Sequence, residues 1–226
     1  MTPYLAPIEK PKSVMLGLLY RFTRRQFGAV PTWLSVFSAR MPLAFTTWMG
    51  KAGRLQKKLR LPQDTVGLVR ARVDAVNGCT WCMDAGRWYA TTKTPHLVPK
   101  LDALDDYRTS PVFSDAERAA LAFATELAER KHVSQGTFEA LWGRYSEREI
   151  CEIVWLVSSN HLFNINNLGL GIGSQGLCHV SGRPPRSRSC GRSRRRSQSW
   201  PQVTRPTRSI RGRWGRHTPM RSPAHD

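Results

Sequence analysis

Two Ser-x-x-Glu boxes, each opening an apolar stripe at helical spacing, constrain this chain more than any other feature. Ser114-Asp115-Ala116-Glu117 leads into Ala120, Leu121, Ala124, Leu127 and Ala128. Ser146-Glu147-Arg148-Glu149 leads into Ile150, Ile153, Val154, Val157 and His161. In such a box the Ser hydroxyl takes the N–H of the third helical residue while the Glu reaches back to the Ser N–H, so each box marks a helix start. Apolar residues recurring every three or four positions give each helix one face to bury. Tyr145, just ahead of the second box, is placed to staple to Ile150. Ser134 opens a shorter helix through Phe138, Leu141 and Trp142. Upstream, Ser13–Phe27, Thr32–Ala39 and Leu43–Leu59 read as helices, and Pro62 suits the first turn of another. Five or six helices with short links predict an all-α domain.

The segment Val66–Val76 supports two readings. Val69, Ala71, Val73 and Ala75 alternate with Arg70, Arg72 and Asp74, as in a half-buried strand. Val66, Val69, Val73 and Val76 are also spaced by three, four and three, as on one face of a helix. A strand feeding a C-x-x-C would suggest a thioredoxin fold, but that fold needs further strands downstream, and the sequence offers none that convinces.

The C-x-x-C itself is Cys79-Thr80-Trp81-Cys82, directly after Asn77-Gly78. Asn and Gly both tolerate positive φ and stop a helix. If a helix ends there, Cys79 stands at the entrance of the next and Cys82 lies in its first turn. Unpaired N–H groups and the positive end of the dipole favour a thiolate at that place. Half a zinc site is the first rival, yet Cys151, Cys178 and Cys190 are scattered and no His-x₃₋₅-His pair exists, so no metal is expected. Two buried core cysteines are the second rival, and a redox-capable dithiol ranks ahead of it.

Charge divides the chain. Of 35 basic and 16 acidic residues, 13 Arg and one acid fall in residues 179–226, which leaves a net charge of +7 on residues 1–178. Arg, Ser and Pro dominate that last segment, and it is expected to be a disordered basic tail that touches nucleic acid only non-specifically, through phosphates. Three segments follow: residues 1–30 as an N-terminal extension and helix, 31–178 as the helical domain, and 179–226 as the tail. In the first helix Met15, Leu18, Leu19 and Phe22 form an apolar stripe beside Arg21, Arg24 and Arg25. Such a helix can lie on an anionic membrane; packing of the stripe on the core is the expectation. No apolar run reaches spanning length and no signal peptide is read, so no membrane span is expected. Mostly lone cysteines suit a reducing compartment, hence the cytoplasm. Gly171-Ile172-Gly173-Ser174-Gln175-Gly176 has the spacing of a dinucleotide fingerprint, but it follows no strand and has no acid about twenty positions on. No cofactor is expected.

Several of these segments resemble the carboxymuconolactone decarboxylase and alkylhydroperoxidase-like (AhpD-like) superfamily. They are Leu68–Arg87, Phe113–Leu121, Tyr145–Ile150 and Asn164-Ile165-Asn166-Asn167-Leu168 followed by Gly171-Ile172, and the resemblance spans roughly Met41 to Cys178. It implies an all-helical, AhpD-like domain, usually a homo-oligomer. It also implies a peroxide or small-molecule substrate, a thiol reductant protein as partner, and Cys79 and Cys82 as the redox pair. Peroxidase members carry a His four positions after the second cysteine and a Glu twelve before the first; here those positions are Gly86 and Gly67. Arg72, Asp84 and His161 are the remaining candidate helpers. Loss of both relay residues keeps a second function open: a non-catalytic family member that serves as an oligomeric or small-molecule-binding scaffold.

Overall fold

Helices account for all the regular structure among the described residues of this computed structural model, which are 2–44, 47 and 50–177. The first helix, α1 (Val14–Phe27), starts where the Ser13 hydroxyl accepts the Leu16 N–H and ends at Gly28, whose φ of 77° only glycine adopts freely. A π-helical turn over Leu34–Ser38 follows, within the segment read as Thr32–Ala39. The single helix expected over Leu43–Leu59 is represented by α2 (Pro42–Ala44) and α3 (Gly50–Gln56), with part of the stretch between them outside the described residues. Next come α4 (Gln63–Asn77) and α5 (Thr80–Lys93). Short turns then surround α6 (Val98–Asp102), and α7 (Asp115–Arg130), α8 (Gln135–Trp142) and α9 (Glu147–Gly169) complete the domain. The tail expected over residues 179–226 lies outside the described residues.

Both capping boxes close reciprocally. The Ser114 and Ser146 hydroxyls take the N–H groups of Glu117 and Glu149, and those two carboxylates accept the Ser114 and Ser146 N–H groups. The stripes they open meet α4 in the middle of the domain. Val66, Val69 and Val73 pack with Ala120, Phe123, Ala124 and Ala128 of α7 and with Ile150, Ile153, Leu156 and Val157 of α9. This settles Val66–Val76 as helix, because the three-four spacing is the one that fills the core. Tyr145 joins the same cluster as Ile150, as a staple requires. A second cluster sets Leu68 against Leu104, Tyr107, Phe113 and Leu121.

The packing expected of α1 is overturned. Its buried residues are Leu16, Tyr20 and Thr23, and Leu16 and Tyr20 pack with Leu34. Of the stripe read from the sequence, only Leu19 packs against this cluster; Met15, Leu18 and Phe22 are exposed. Tyr20 decides the rotation, since its hydroxyl donates to the Ile8 carbonyl at 2.9 Å and draws that face inward. No helix among the described residues is long and apolar enough to cross a membrane.

Candidate functional site

The site grows from the junction of α4 and α5. Gly78 closes α4 in the left-handed conformation (φ 69°), and its N–H returns to the Ala75 carbonyl. That turn makes Cys79 the N-cap of α5, its own N–H donating to the Asp74 carbonyl at 3.0 Å. Cys82 lies in the first helical turn, and the two cysteines are joined as a disulfide with Cα atoms 5.3 Å apart. Cys79 is 1% exposed and Cys82 is half-buried, so solvent reaches the pair at Cys82.

Three amides of α9 complete the surroundings. Asn160, Asn164 and Asn167 continue, at spacings of three, four and three, the face on which Ile153 and Val157 lie. Where that face passes the dithiol, it turns from apolar to polar. The Asn164 side-chain NH₂ donates to Cys82 Sγ at 3.1 Å, and that of Asn167 lies 3.4 Å from Cys82 Sγ and 3.7 Å from Cys79 Sγ.

A buried carboxylate fixes how these amides point. Asp74 Oδ1 accepts from Asn160 Nδ2 at 2.6 Å and from Asn164 Nδ2 at 2.7 Å. An ionised carboxylate only accepts, so the Asn164 NH₂ must face Asp74 and Cys82, which turns its Oδ1 toward Asn77. Asn77 Nδ2 donates to that oxygen at 2.7 Å and lies 3.0 Å from His161 Nδ1. His161 Nδ1 is thus an acceptor, and a neutral ring carries its proton on Nε2. Burial and the Lys131 charge both lower the His161 pKa from its ordinary value, which keeps the ring neutral near pH 7. Burial pushes the Asp74 carboxyl up to about 6, against the Asn164 hydrogen bond, the Arg70 charge and the Asn160 hydrogen bond.

The remaining candidate helpers serve other contacts. Arg72 donates from Nε to the Thr125 hydroxyl at 2.8 Å, pairs with Asp105 at 3.5 Å and stacks over the Tyr107 ring. Two positions from Asp74, it looks out of the opposite side of α4, toward α7. Asp84 is buried and gathers the segment after α9: its Oδ2 accepts from the Ser174 hydroxyl at 2.7 Å and from the N–H groups of Gln175 and Leu177 at 3.0 and 2.9 Å. Two backbone donors of the Gly171–Gly176 segment and its border are thereby spent on a protein carboxylate, and a phosphate cradle has lost them. The structure brings together Cys79, Cys82 and, through Asn77 and Asn164, His161. At the relay positions, Gly86 faces open space, whereas a Cβ on Gly67 meets Leu97 Cδ1 at 3.1 Å. Among the described residues no group of three or more His, Cys, Asp or Glu side chains could hold a metal ion.

Sequence reasoning missed Asp74 and Asn160 as site residues and cited Asn164 and Asn167 only within a motif. A signal was present. Asparagines at stripe spacing on a helix with an apolar face have to find partners when buried.

An all-helical domain with a dithiol at a helix entrance, faced by amides of the last helix, is the class these features define. Over 164 residues, covering 70% of this chain and 86% of the relative, the sequence is 31% identical to the uncharacterized protein YnjA of Escherichia coli strain K12. No family model matches the chain. Among solved structures, the debrominase Bmp8 superposes with a TM-score of 0.65 at 21% identity, over 77% of this chain and 93% of that one. A peroxidase-related protein with an alkylhydroperoxidase AhpD core, from Ralstonia eutropha JMP134, gives 0.63 at 20% identity, over 81% and 97%. The chain belongs to the same family as YnjA, and its fold is that of the AhpD-like, peroxidase-related proteins.

Proposed function

We propose that this protein is a thiol oxidoreductase that reduces a hydroperoxide, with Cys82 as the attacking thiol and Cys79 as the resolving one. The observation that carries the proposal is the asymmetry of the pair: Cys82 is only half-buried and receives the Asn164 amide at 3.1 Å, while Cys79 is fully buried. Amide N–H groups aimed at a sulfur favour its anionic form, and the thiolate is the nucleophile. The Cys82 thiolate attacks one peroxide oxygen, the O–O bond breaks, and the departing alkoxide takes a proton to become the alcohol. The Cys79 thiolate then attacks the sulfenic sulfur, hydroxide leaves as water after gaining a proton, and the disulfide forms. A dithiol reductant, protein or small molecule, returns two electrons and two protons. Asp74 acts as a positioning residue, through Asn164, and water serves the half-exposed Cys82 as proton acceptor. The cycle we propose runs in a reducing cytoplasm and in a homo-oligomer.

The likeness to Bmp8 favours a second substrate class. One solved form of that debrominase is a cysteine-to-alanine variant in complex with 2,3,4-tribromopyrrole, at a TM-score of 0.66 to this chain. On that reading the Cys82 thiolate takes the bromine from carbon and the carbanion takes a proton. The Cys79 thiolate then displaces bromide from the Cys82 sulfur to form the disulfide, so that the two electrons of the dithiol pass to the substrate. The test mixes the reduced protein with cumene hydroperoxide or tribromopyrrole and follows Cys79–Cys82 disulfide by mass spectrometry. We expect one cumyl alcohol per disulfide, a dimedone-trapped sulfenic acid on Cys82 in Cys79→Ser, and no reaction at this site in Cys82→Ser. Reaction with the bromopyrrole alone would give the second reading. Reaction with neither would leave the non-catalytic scaffold.

A further inference from the structure

We infer that α1 is a docking surface for an anionic phospholipid membrane, on which the protein lies without crossing it. The helix buries Leu16, Tyr20 and Thr23 and turns a second apolar face outward. Val14 is 80% exposed, Met15 52%, Leu18 60% and Phe22 61%. At about 100° per residue these four side chains share an arc of about 100°. Isolated apolar side chains at a surface are ordinary, but four on one arc of one helix form a patch.

The charges around the patch select its occupant. Arg25 falls within the arc, Arg21 beside it and Arg24 further round, all three exposed and without an ion pair among the described residues. Exposed Lys10 and Lys12 precede the helix, and α1 itself holds no Asp or Glu. A second copy of α1 across a two-fold axis would set these arginines against one another. Residues 179–226, with 13 Arg and one acid, offer no opposite charge to these arginines. A bilayer with anionic headgroups satisfies both halves: Leu18 and Phe22 enter the acyl boundary while the guanidiniums meet phosphates.

Vesicle co-sedimentation of the full-length chain tests this, with phosphatidylglycerol–phosphatidylcholine vesicles beside pure phosphatidylcholine. The charge of the Arg-rich segment is expected to attract anionic vesicles too, so the informative variant removes apolar surface and leaves charge intact. Leu18→Ser with Phe22→Ser should weaken partition onto the anionic vesicles by about tenfold or more, with helicity and melting temperature unchanged. Val112→Ser with Trp142→Ser, which removes exposed apolar surface elsewhere, should leave it as in the wild type. In 0.5 M salt, where charge is screened, the wild type should retain more binding than the α1 variant. Equal partition of wild type and α1 variant would assign all binding to the Arg-rich segment and overturn the inference. So would a lower subunit count of the α1 variant in light scattering, which would make a second copy the occupant.

Discussion

The two halves of α9 lie along the same side of α4 with opposite chemistry, and each half has a buried carboxylate beside it. The first half presents Ile150, Ile153, Leu156 and Val157, and its carboxylate is Glu152. The second presents Asn160, Asn164 and Asn167, and its carboxylate is Asp74, reaching over from α4. Glu152 accepts the backbone N–H groups of Arg60 and Leu61 at 2.8 and 3.0 Å and the Arg148 guanidinium at 2.8 Å. Burial pushes its carboxyl up, but the Arg148 hydrogen bond, the two N–H groups and the Arg148 charge outweigh it, and the pKa ends below the ordinary value. For Asp74 burial prevails, since its partners are neutral amides and a more distant arginine. One carboxylate fastens the chain ahead of α4; the other is held at a cost and aims amides at sulfur. Buried charge serves packing in the first half and the dithiol in the second.

Removing Glu152 should have the largest effect. Glu152→Ala leaves the buried Leu61 N–H, the part-buried Arg60 N–H and the half-exposed Arg148 guanidinium without their acceptor. Charge-assisted hydrogen bonds contribute about 1.5–3 kcal/mol each where they are buried. We expect a loss of roughly 3 kcal/mol or more in urea unfolding, with the alkylation rate of Cys82 unchanged. A loss below about 1 kcal/mol would show that water replaces the carboxylate and that the halves differ less than their bonding suggests.

Asp74 should reveal itself through pH. A carboxyl whose native pKa is raised holds its proton more tightly folded than unfolded. Its contribution to stability is complete below the ordinary value near 4 and is lost as pH climbs through about 6. Asp74→Asn keeps an acceptor for Asn160 and Asn164 and cannot ionise. Between pH 3.5 and 7 the variant should therefore gain about 3 kcal/mol on the wild type, from a shift of roughly two units. Parallel stability–pH curves for the two proteins would mean that Asp74 is solvated, and the contrast with Glu152 would fail.

A smaller effect belongs to the amides themselves. Asn164→Ala removes the closer donor to Cys82 Sγ and should raise the Cys82 thiol pKa by on the order of one unit, read from alkylation rate against pH. Asn167→Ala, acting from 3.4 Å, should do less. An unchanged Cys82 pKa in both variants would assign thiolate stabilisation to the α5 N-terminus alone.

The core was legible in the sequence because its code is local. Ser-x-x-Glu marks a start, Asn77-Gly78 a stop, and three-four spacing the buried face. Cys79 and Cys82 were legible because their spacing is itself the chemistry. Asp74 was hidden, since its value lies in partners 86 and 90 residues away and in the absence of a cation strong enough to offset its burial. The side α1 buries was hidden for a similar reason. Met15, Leu18 and Phe22 make a better stripe than Leu16, Tyr20 and Thr23, and the bond from Tyr20 to Ile8 is a tertiary fact. Arg72 and Asp84 were chosen by residue type, which carries no direction; one looks toward α7 and the other holds the segment after α9.

The two vacant relay positions offer the smallest and most local contrast. Both glycines sit inside helices, Gly67 in α4 and Gly86 in α5, where Ala in place of Gly ordinarily stabilises by about 0.5–1 kcal/mol. At Gly86 nothing lies within 4 Å of an added Cβ, so Gly86→Ala should gain that full amount in urea unfolding. At Gly67 the added methyl meets Leu97 Cδ1 at 3.1 Å, and Leu97 is itself buried, so Gly67→Ala should gain little or lose stability. The same difference governs any restored relay: a His at 86 enters free space, while a Glu at 67 must first displace Leu97. Equal gains from the two alanines would show that Leu97 yields readily. The α4 side of the site would then be as open to a new carboxylate as the α5 side, and the absence of one there would owe nothing to packing.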